Sequence, residues 1–408
     1  MDISEVNSAF ARLLKVASPW QITKVEIQHN TMVADVYIDY EYGSKFPCPE
    51  CGKECPVHDG SYQRWRYLDL FDYRCYLNIK IPRTRCSAHK IKVVSSVPWG
   101  RLGTHYCYAL EAKIMRLSLE MSMSAISQEI GEPDSNLWRV FRYHIGMAVQ
   151  GINMESVKRI SVDETANKRG HNYVTIFTDL DSAEVLLVVE GRKKETFEQL
   201  YGTLFDKGGH PGNIELFSMD MSKSYKSGRA SYFAHSKEVF DRFHIKKGLN
   251  QAVDKVRKKE VVENESLKKT KYIWLKNEKN LTEKEKSQLN NFLIESTTDT
   301  ANAYQLKRGF DHLWNVQAKA VEPLLNEWIN LASTVQLKPI NSFINTIKNN
   351  YNGIVNSMTT GITNAVAEGI NSIIQMAKSR ARGFRNIENF KAMIYFLGND
   401  FKFNFHCL

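Results

Sequence analysis

The sequence predicts a multidomain α+β protein, and three observations predict it. Cysteine and histidine pairs sit among alternating strand patterns before residue 100, short amphipathic helical segments follow to about residue 150, and strand and helix patterns then alternate until a long polar helical stretch interrupts them. At 408 residues, 43% hydrophobic and 25% charged, the chain has material for two or three packed domains. Lys and Arg number 55 against 45 for Asp and Glu, a formal net charge of +10 that favours a polyanionic partner, nucleic acid or an anionic membrane. No uninterrupted apolar stretch reaches the length of a spanning helix, so no membrane partner is expected. The start, MDISEVNSAFARLLKV, lacks the order of a signal peptide, and a soluble intracellular location is expected. Seven cysteines, an odd count, exclude a disulfide framework and leave reduced thiols or metal ligation.

Residues 1–45 read as a helix followed by strands. In 46–98, Cys48-Pro-Glu-Cys51-Gly52 is a knuckle and Cys86-Ser-Ala-His89 supplies a second pair, a zinc-ribbon arrangement. Zn²⁺ takes four tetrahedral sulfur or nitrogen ligands, and a two-residue gap lets one turn present two of them. Trp65-Arg-Tyr-Leu-Asp-Leu and Tyr76-Leu-Asn-Ile-Lys-Ile alternate apolar and polar residues and read as a hairpin that brings the knuckles together. A competing set joins Cys55 and His58 to the first pair, and buried structural thiols are the plainer alternative. Cys75, Cys107 and Cys407 lack metal spacing and read as packing residues.

Between 104 and 150, the run from Met123 to Arg139 gives a short helix, a turn at Gly131 and a second helix started by Pro133 and Asp134. That is helix-turn-helix order, with Ser135, Asn136, Arg139 and Arg142 placed to face a groove of double-stranded DNA. Any all-helical domain contains such corners, so the basic zinc module beside it strengthens the reading.

From 156 to 260 the pattern is three strands, helix, strand, helix, strand, helix, the element order of a ribonuclease H-like α/β core with a mixed sheet. Residues 261–350 read as a helical insertion with a small core of Trp274, Leu275, Phe292, Leu293, Phe310 and Trp314, and 351–408 as completion of the core. Lys246, Lys247, Lys255, Arg257, Lys258 and Lys259 crowd the helix that enters the insertion, as a nucleic-acid path or a solvated face.

Asp163 and Asp220 end strands that lie side by side in this fold. A third carboxylate is expected from a helix crossing that edge, and Glu368 is best placed, with Val366, Ile370, Ile373 and Ile374 as the helix's apolar face. Carboxylates suit Mg²⁺ (or Mn²⁺), and two such ions about 3.5–4 Å apart can activate the attacking oxygen and stabilise the leaving oxygen of a phosphoryl displacement. Glu164, Asp179, Asp181 and Asp241 compete: Asp179 and Asp181 read as turn formers. Asp241 reads as a residue behind the site, and His244 as a DNA or metal-water contact or a packed histidine.

SVDE around Asp163, SMDMSKSY around Asp220, VFDRFHIKKGLNQAVDKVR, and NAVAEGINSIIQMAKSRARGFRNIENFKAMI around Glu368 together resemble bacterial insertion-sequence transposases of the ISL-three type. CPECG and the helix-turn-helix join the resemblance, which covers most of the chain in order. It implies that Asp163, Asp220 and Glu368 form the DDE metal-binding triad, with two Mg²⁺ or Mn²⁺ ions, and that Zn²⁺ is structural. Gly369, Asn371, Lys378, Gly383, Phe384 and Arg385 correspond to the signature around the glutamate. The zinc knuckle and helix-turn-helix are expected to recognise terminal inverted repeats. The resemblance further implies target DNA as a partner, a homodimer or larger synaptic assembly, and a bacterial cytoplasmic, nucleoid-associated location. Gln375 departs from the family, which usually carries a lysine or arginine touching DNA phosphate there; Lys378, Arg380 and Arg382 are expected to compensate. His89 stands where relatives commonly have cysteine.

Overall fold

The computed structural model describes residues 3–167, 173–295 and 298–403, so Cys407 lies outside the described residues. Two compact units divide the chain: residues up to Gly146 with the segment beginning at Phe401, and Met147–Asp400.

In the first unit, α1 (Ile3–Leu13) precedes a sheet of β1 (Trp20–Gln28), β2 (Val33–Tyr40), β3 (Lys45–Pro47), β4 (Glu54–Arg66), β5 (Arg74–Cys86) and β6 (Lys90–Val93). Strand order is β1-β2-β5-β4-β3, with β6 on β5. β4 and β5 are the hairpin that the alternation predicts, with Trp65 opposite Leu77. Trp65, Cys75, Leu77, Ile79 and Ile81 are buried in one core with Trp20, Val36, Ile38, Trp99 and Cys107. That core fits the packing role expected of Cys75 and Cys107.

Beyond the short pair β7 (Ser96–Val97) and β8 (Gly100–Arg101) come α2 (Tyr108–Leu117), α3 (Met123–Ile130) and α4 (Asp134–Gln150). The corner has local causes. The Ser122 hydroxyl accepts from the Ala125 N–H at the start of α3, and Gly131 ends it at φ 73°, a left-handed conformation a side chain would resist. Glu111, wholly buried on α2, receives Arg101 at 3.0 Å and His144 of α4 at 2.7 Å, so its buried charge does not stand unpaired.

The second unit is built on a five-stranded sheet of β9 (Arg159–Ala166), β10 (Tyr173–Asp179), β11 (Val185–Glu190), β12 (Leu216–Met219) and β13 (Lys237–Phe240), in the order β11-β10-β9-β12-β13. The first three strands are an antiparallel meander, and β12 and β13 run parallel to β9. The crossovers are α5 (Glu195–Asp206) before β12 and α6 (Lys223–Tyr232) before β13. Phe177, Phe197, Phe217, Tyr225 and Phe233 fill the space beneath them.

After α7 (Arg242–Glu260) the chain is helical: α8 (Lys271–Leu275), α9 (Glu283–Glu295), α10 (Asp299–His312), α11 (Ala318–Thr334), α12 (Lys338–Asn349), α13 (Tyr351–Thr360), α14 (Ala365–Arg380) and α15 (Ile387–Leu397). Trp274 and Phe310 are fully buried, and Leu275, Phe292, Leu293 and Trp314 pack against them, but the expected separate small core is not what forms. α7 carries Ile245, Leu249 and Val253 from the sheet side into the helical stretch, and one hydrophobic cluster spans both. The basic residues of α7 also divide: Arg257 is buried against Asp254, Lys258 pairs with the same carboxylate, and Lys246 pairs with Asp311.

α13 returns the chain to the sheet by lying on β13. A Cβ on Gly353 would stand 2.3 Å from the ring of Phe240. Gly353→Ala should therefore lower stability by about 1–3 kcal/mol despite alanine's better helix propensity. A thermal melt shifted down by several degrees is the expected result; an unchanged or higher midpoint would contradict the close approach.

Candidate active site and metal centre

Register places the aspartates. Ser218 of β12 pairs with Ser161 of β9, and two further residues along each parallel strand put Asp220 beside Asp163. Phe240 of β13 pairs with Met219, so Asp241 follows in the same row, and its N–H donates to the Met219 carbonyl at 3.0 Å. Three carboxylates thus stand side by side on three neighbouring strands: Asp220 and Asp241 just past the ends of β12 and β13, and Asp163 inside β9, which was expected to end there but runs on to Ala166.

Side-chain alternation decides which way they point. Ser161, Asp163 and Thr165 share one face of β9, and all three meet α14. The Ser161 hydroxyl donates to Asn364 Oδ1, Asn371 Nδ2 donates to Asp163 Oδ2 at 2.6 Å, and Gln375 Nε2 donates to Thr165 Oγ1 at 2.9 Å. Asn364 Oδ1 also accepts from Ser218 of β12 at 3.4 Å. Asn364, Glu368, Asn371, Gln375 and Lys378 recur at three- and four-residue intervals, the spacing of one helical stripe. Glu368, exposed, therefore stands one turn from the residue that holds Ser161 and one turn from the residue that holds Asp163. The buried stripe behind it is Ala367, Ile370 and Ile374; Val366 is half-buried and Ile373 exposed, so the apolar face is narrower than expected.

Burial pushes Asp163 up to about 6, with the neighbouring charges of Asp241 and Asp220 adding to the rise, while the N–H of Glu164 and His244 oppose it. Burial likewise raises Glu164, whose carboxylate lies 3.5 Å from Arg192. Asp241 caps α7 by accepting from the Phe243 N–H, and His244 Nε2 lies 3.8 Å from its carboxylate. Asp179 does form a turn, accepting from the Asp181 N–H and the Ser182 hydroxyl, and Asp181 pairs with Arg159. A row of oxygen donors with a buried, charge-disfavoured aspartate fits a hard divalent cation, which would offset that cost. The row is open: among the described residues, its carboxylates are not gathered into a group that could hold a metal ion as they stand, unlike the Cys/His group of the first unit.

Farther along α14, Lys378 donates to the Ala166 carbonyl. Gly383, at φ 92°, donates to the Lys378 carbonyl and turns the chain away. Arg382, Phe384 and Arg385 line a cleft of about 660 Å³ with Asn167 and Lys378, and Arg380 is exposed on the last turn.

The first unit holds a tighter group. Donor atoms of Cys48, Cys51, Cys86 and His89 all lie within 4.8 Å of one another. His89 Nδ1 is 3.7 Å from both the Cys48 and Cys86 sulfurs, and Cys51 Sγ is 3.9 Å from Cys86 Sγ. Those separations approximate the edges of a tetrahedron around zinc with bonds of about 2.0–2.3 Å. Backbone N–H groups of His89 and Ala88 bring the Cys86 thiol down to about 6, favouring the thiolate a metal needs. Cys55 packs against Cys48 and Cys86 with its thiol raised by burial, while His58 receives Arg85 at 2.8 Å. The competing set is not gathered.

On α4, Ser135, Arg139 and Arg142 are exposed along one side, whereas Asn136 is half-buried beside the Tyr106 hydroxyl.

A family profile described as a transposase, of the ISL3 type, matches residues 160–394, more than half of the chain. The chain belongs to the ISL3 family of insertion-sequence transposases. A second profile, the zinc-finger of transposases IS204, IS1001, IS1096 and IS1165, matches residues 44–89 of this transposase and covers all four clustered ligands. Similar proteins include the transposase for insertion sequence element IS1001 of Bordetella parapertussis, 23% identical with 86% of this chain and 89% of the relative covered. The transposase for IS1557 of Mycobacterium tuberculosis is 22% identical, with 83% and 82% covered. The matched zinc finger and the Cys/His cluster together support structural zinc in the transposase. No helix among the described residues is long and apolar enough to cross a membrane.

Sequence reasoning missed Asn364, Ser161 and Ser218. Their signal was present: Ser-x-Asp occurs on both strands, as Ser161-Val-Asp163 and Ser218-Met-Asp220, and period-two alternation puts each serine on its aspartate's face. Gln375, expected at a DNA contact or behind the site, turns its amide back to Thr165.

Purified transposase should contain about one zinc ion per chain. Cys86→Ser should lose it and Cys55→Ser keep it, as read by elemental analysis; retention in Cys86→Ser would overturn the ligand set. For Asp163, a folded-state value near 6 against 3.8 when unfolded means the folded chain binds more protons between those values, so stability falls as pH rises through 6. Metal-free Asp163→Asn should be more stable than wild type near pH 7.5 by up to about 3 kcal/mol, and the difference should vanish below about pH 4. Equal melting temperatures at both pH values would refute the buried-charge account.

Proposed function

We propose that this transposase binds the terminal inverted repeats of its element through the zinc ribbon and a helix-turn-helix, then cleaves and joins DNA strands at the acidic edge of a ribonuclease H-like core. The observation that carries the reading is the union of the two Ser-x-Asp segments, of neighbouring β9 and β12, with the Glu368 helix by side-chain hydrogen bonds across long stretches of chain. The antiparallel meander flanked by two parallel strands supports the core assignment.

Asp163, Asp220 and Glu368 are the proposed DDE set and would hold two Mg²⁺ or Mn²⁺ ions, which when bound supply activation of the attacking oxygen and stabilisation of the leaving oxygen. Asn371 fixes the rotamer of Asp163, and Asn364 sets the height of Glu368 on the sheet. Water attacking the phosphodiester yields a nick; a DNA 3′-hydroxyl attacking the same kind of bond yields strand joining. Asp241 holds His244 at the rim, where it reaches DNA or a metal-bound water. Ser135, Arg139 and Arg142 face the DNA groove in this reading, and Asn136 supports the helix from behind. Lys378, Arg380, Arg382 and Arg385 lie toward the DNA at the far end of α14. Joining two ends requires a dimer or larger assembly in the synaptic complex.

Supercoiled plasmid carrying the native element ends, incubated with the protein and Mg²⁺, should be cleaved at those ends. Chelation should abolish the cut, and Glu368→Gln should reduce it by at least about 10³-fold while end binding persists, as expected when a group acting in the transition state is removed. Full cleavage by Glu368→Gln would sink the catalytic assignment; specific end binding without cleavage in the wild type would identify a DNA-binding regulator instead.

A further inference from the structure

One cationic feature lies outside the acidic row. A cleft of about 360 Å³ opens beside the first two turns of α7, lined by Arg242 and Lys246 of that helix and by Lys276, Lys279, Lys307 and Arg308. Some of these charges are already offset: Lys246 pairs with Asp311 at 2.6 Å, Arg308 with Glu278 at 3.1 Å, and Lys276 with Glu285 at 2.7 Å. Three cations remain without a carboxylate against them among the described residues.

Arg242 is held by stacking on Trp314, 4.8 Å from the ring centroid. Lys307 is 5% exposed and donates to the carbonyls of Trp274, Leu275 and Lys276 at 3.0, 3.0 and 3.3 Å. Lys279 is exposed at the rim. Arg242 and Lys307 are thus ordered before any ligand arrives, the condition under which a cation binds an anion at least entropic cost. Asn277, Asn315 and Tyr304 complete the lining, which is mainly polar.

Position selects the anion. Asp241, last of the acidic row, is the cap of α7, and Arg242 is the next residue. At 1.5 Å per residue, Arg242 and Lys246 lie within about 8 Å of Asp241 along the helix axis. A DNA strand presented to the row carries phosphates on either side of the scissile one. The row repels those phosphates, and this cleft is the adjoining surface of opposite charge.

We propose that this cleft, with Arg242 and Lys279 as its free charges over the buried Lys307, binds backbone phosphates of the DNA strand next to the cleavage position. The proposal rests on the transposase reading and adds to it a strand path over the helical stretch. Contact is with phosphate, so it carries no base preference.

The test is binding of full-length protein to labelled duplex containing an element end and its flank, across a salt series without divalent metal. Arg242→Gln and Lys279→Gln should each lower the slope of log K against log salt by about one, on specific and random duplex alike. Replacing single phosphates near the cut by uncharged methylphosphonates should weaken the wild type at one or two positions and leave the double variant unaffected there. Thermal melts matching wild type show that the variants fold, and Lys279→Gln, on an exposed side chain, keeps the test valid if Arg242→Gln does not. Unchanged slopes, or methylphosphonate losses equal in wild type and double variant, would overturn the proposal. So would blocking by inorganic pyrophosphate with no slope change, which would assign the cleft to a free polyphosphate. Slope changes on random duplex in a protein that neither prefers nor cuts element ends would keep the cleft and reject the transposase reading.

Discussion

The second unit depends on the side-chain seam between α14 and β9. Three polar residues of one sheet face, Ser161, Asp163 and Thr165, would be expensive to bury if unpaired. Each meets an amide of a single helical stripe, Asn364, Asn371 and Gln375. The match is between two periods, two residues on the strand against three or four on the helix, and it allows one register. That register sets the height of Glu368 above the strand ends without any direct bond from Glu368 to the sheet. Asn364 adds a second strand by accepting from Ser218, so one amide oxygen fixes the relative placement of β9, β12 and α14.

The acidic edge carries a cost that the rest of the sheet must absorb. Asp163 is buried enough to resist ionisation, and its neighbours along the row are acids. Around it the molecule invests in certainty of position: a capped α7, a helical stripe bonded at four places to β9, and a fully buried Tyr225 whose hydroxyl meets Thr175. The zinc group of the first unit follows a different rule. Its donors already sit at coordination spacing, because a two-residue knuckle and the end of a long hairpin bring them there.

Much of this was legible in the sequence. The order of elements along the chain followed from counting short apolar runs, and the metal knuckles from cysteine spacing, because both are local signals. The aspartates read as strand ends, which holds for Asp220 just past β12 but not for Asp163, inside a β9 that runs on to Ala166. What escaped was long-range pairing. Nothing near Asn364 announces that its partner is Ser161, some two hundred positions earlier, and helix-period reasoning alone gave Ile373 to the buried face when it lies exposed. Whether Gln375 meets DNA or supports the site from behind was open in the sequence, and geometry gives its amide to Thr165. The separate insertion core failed for a related reason: periodicity shows that a helix has an apolar face but not which neighbour covers it, and α7 shares its face with both regions.

The wide separation of the acids along the chain has a consequence in time. A ribosome working at about 5–20 residues per second makes Glu368 roughly seven to thirty seconds after Asp220. The zinc ribbon and the sheet strands through β13 emerge first, with one wall of the acidic edge bare. A nascent chain already equipped with its amino-terminal module has made Asp163 and Asp220 while α14, and Glu368 with it, is still to come. Placing α14 after the helical stretch means that Glu368 and the amides of its stripe can join the sheet only once that whole stretch has been made.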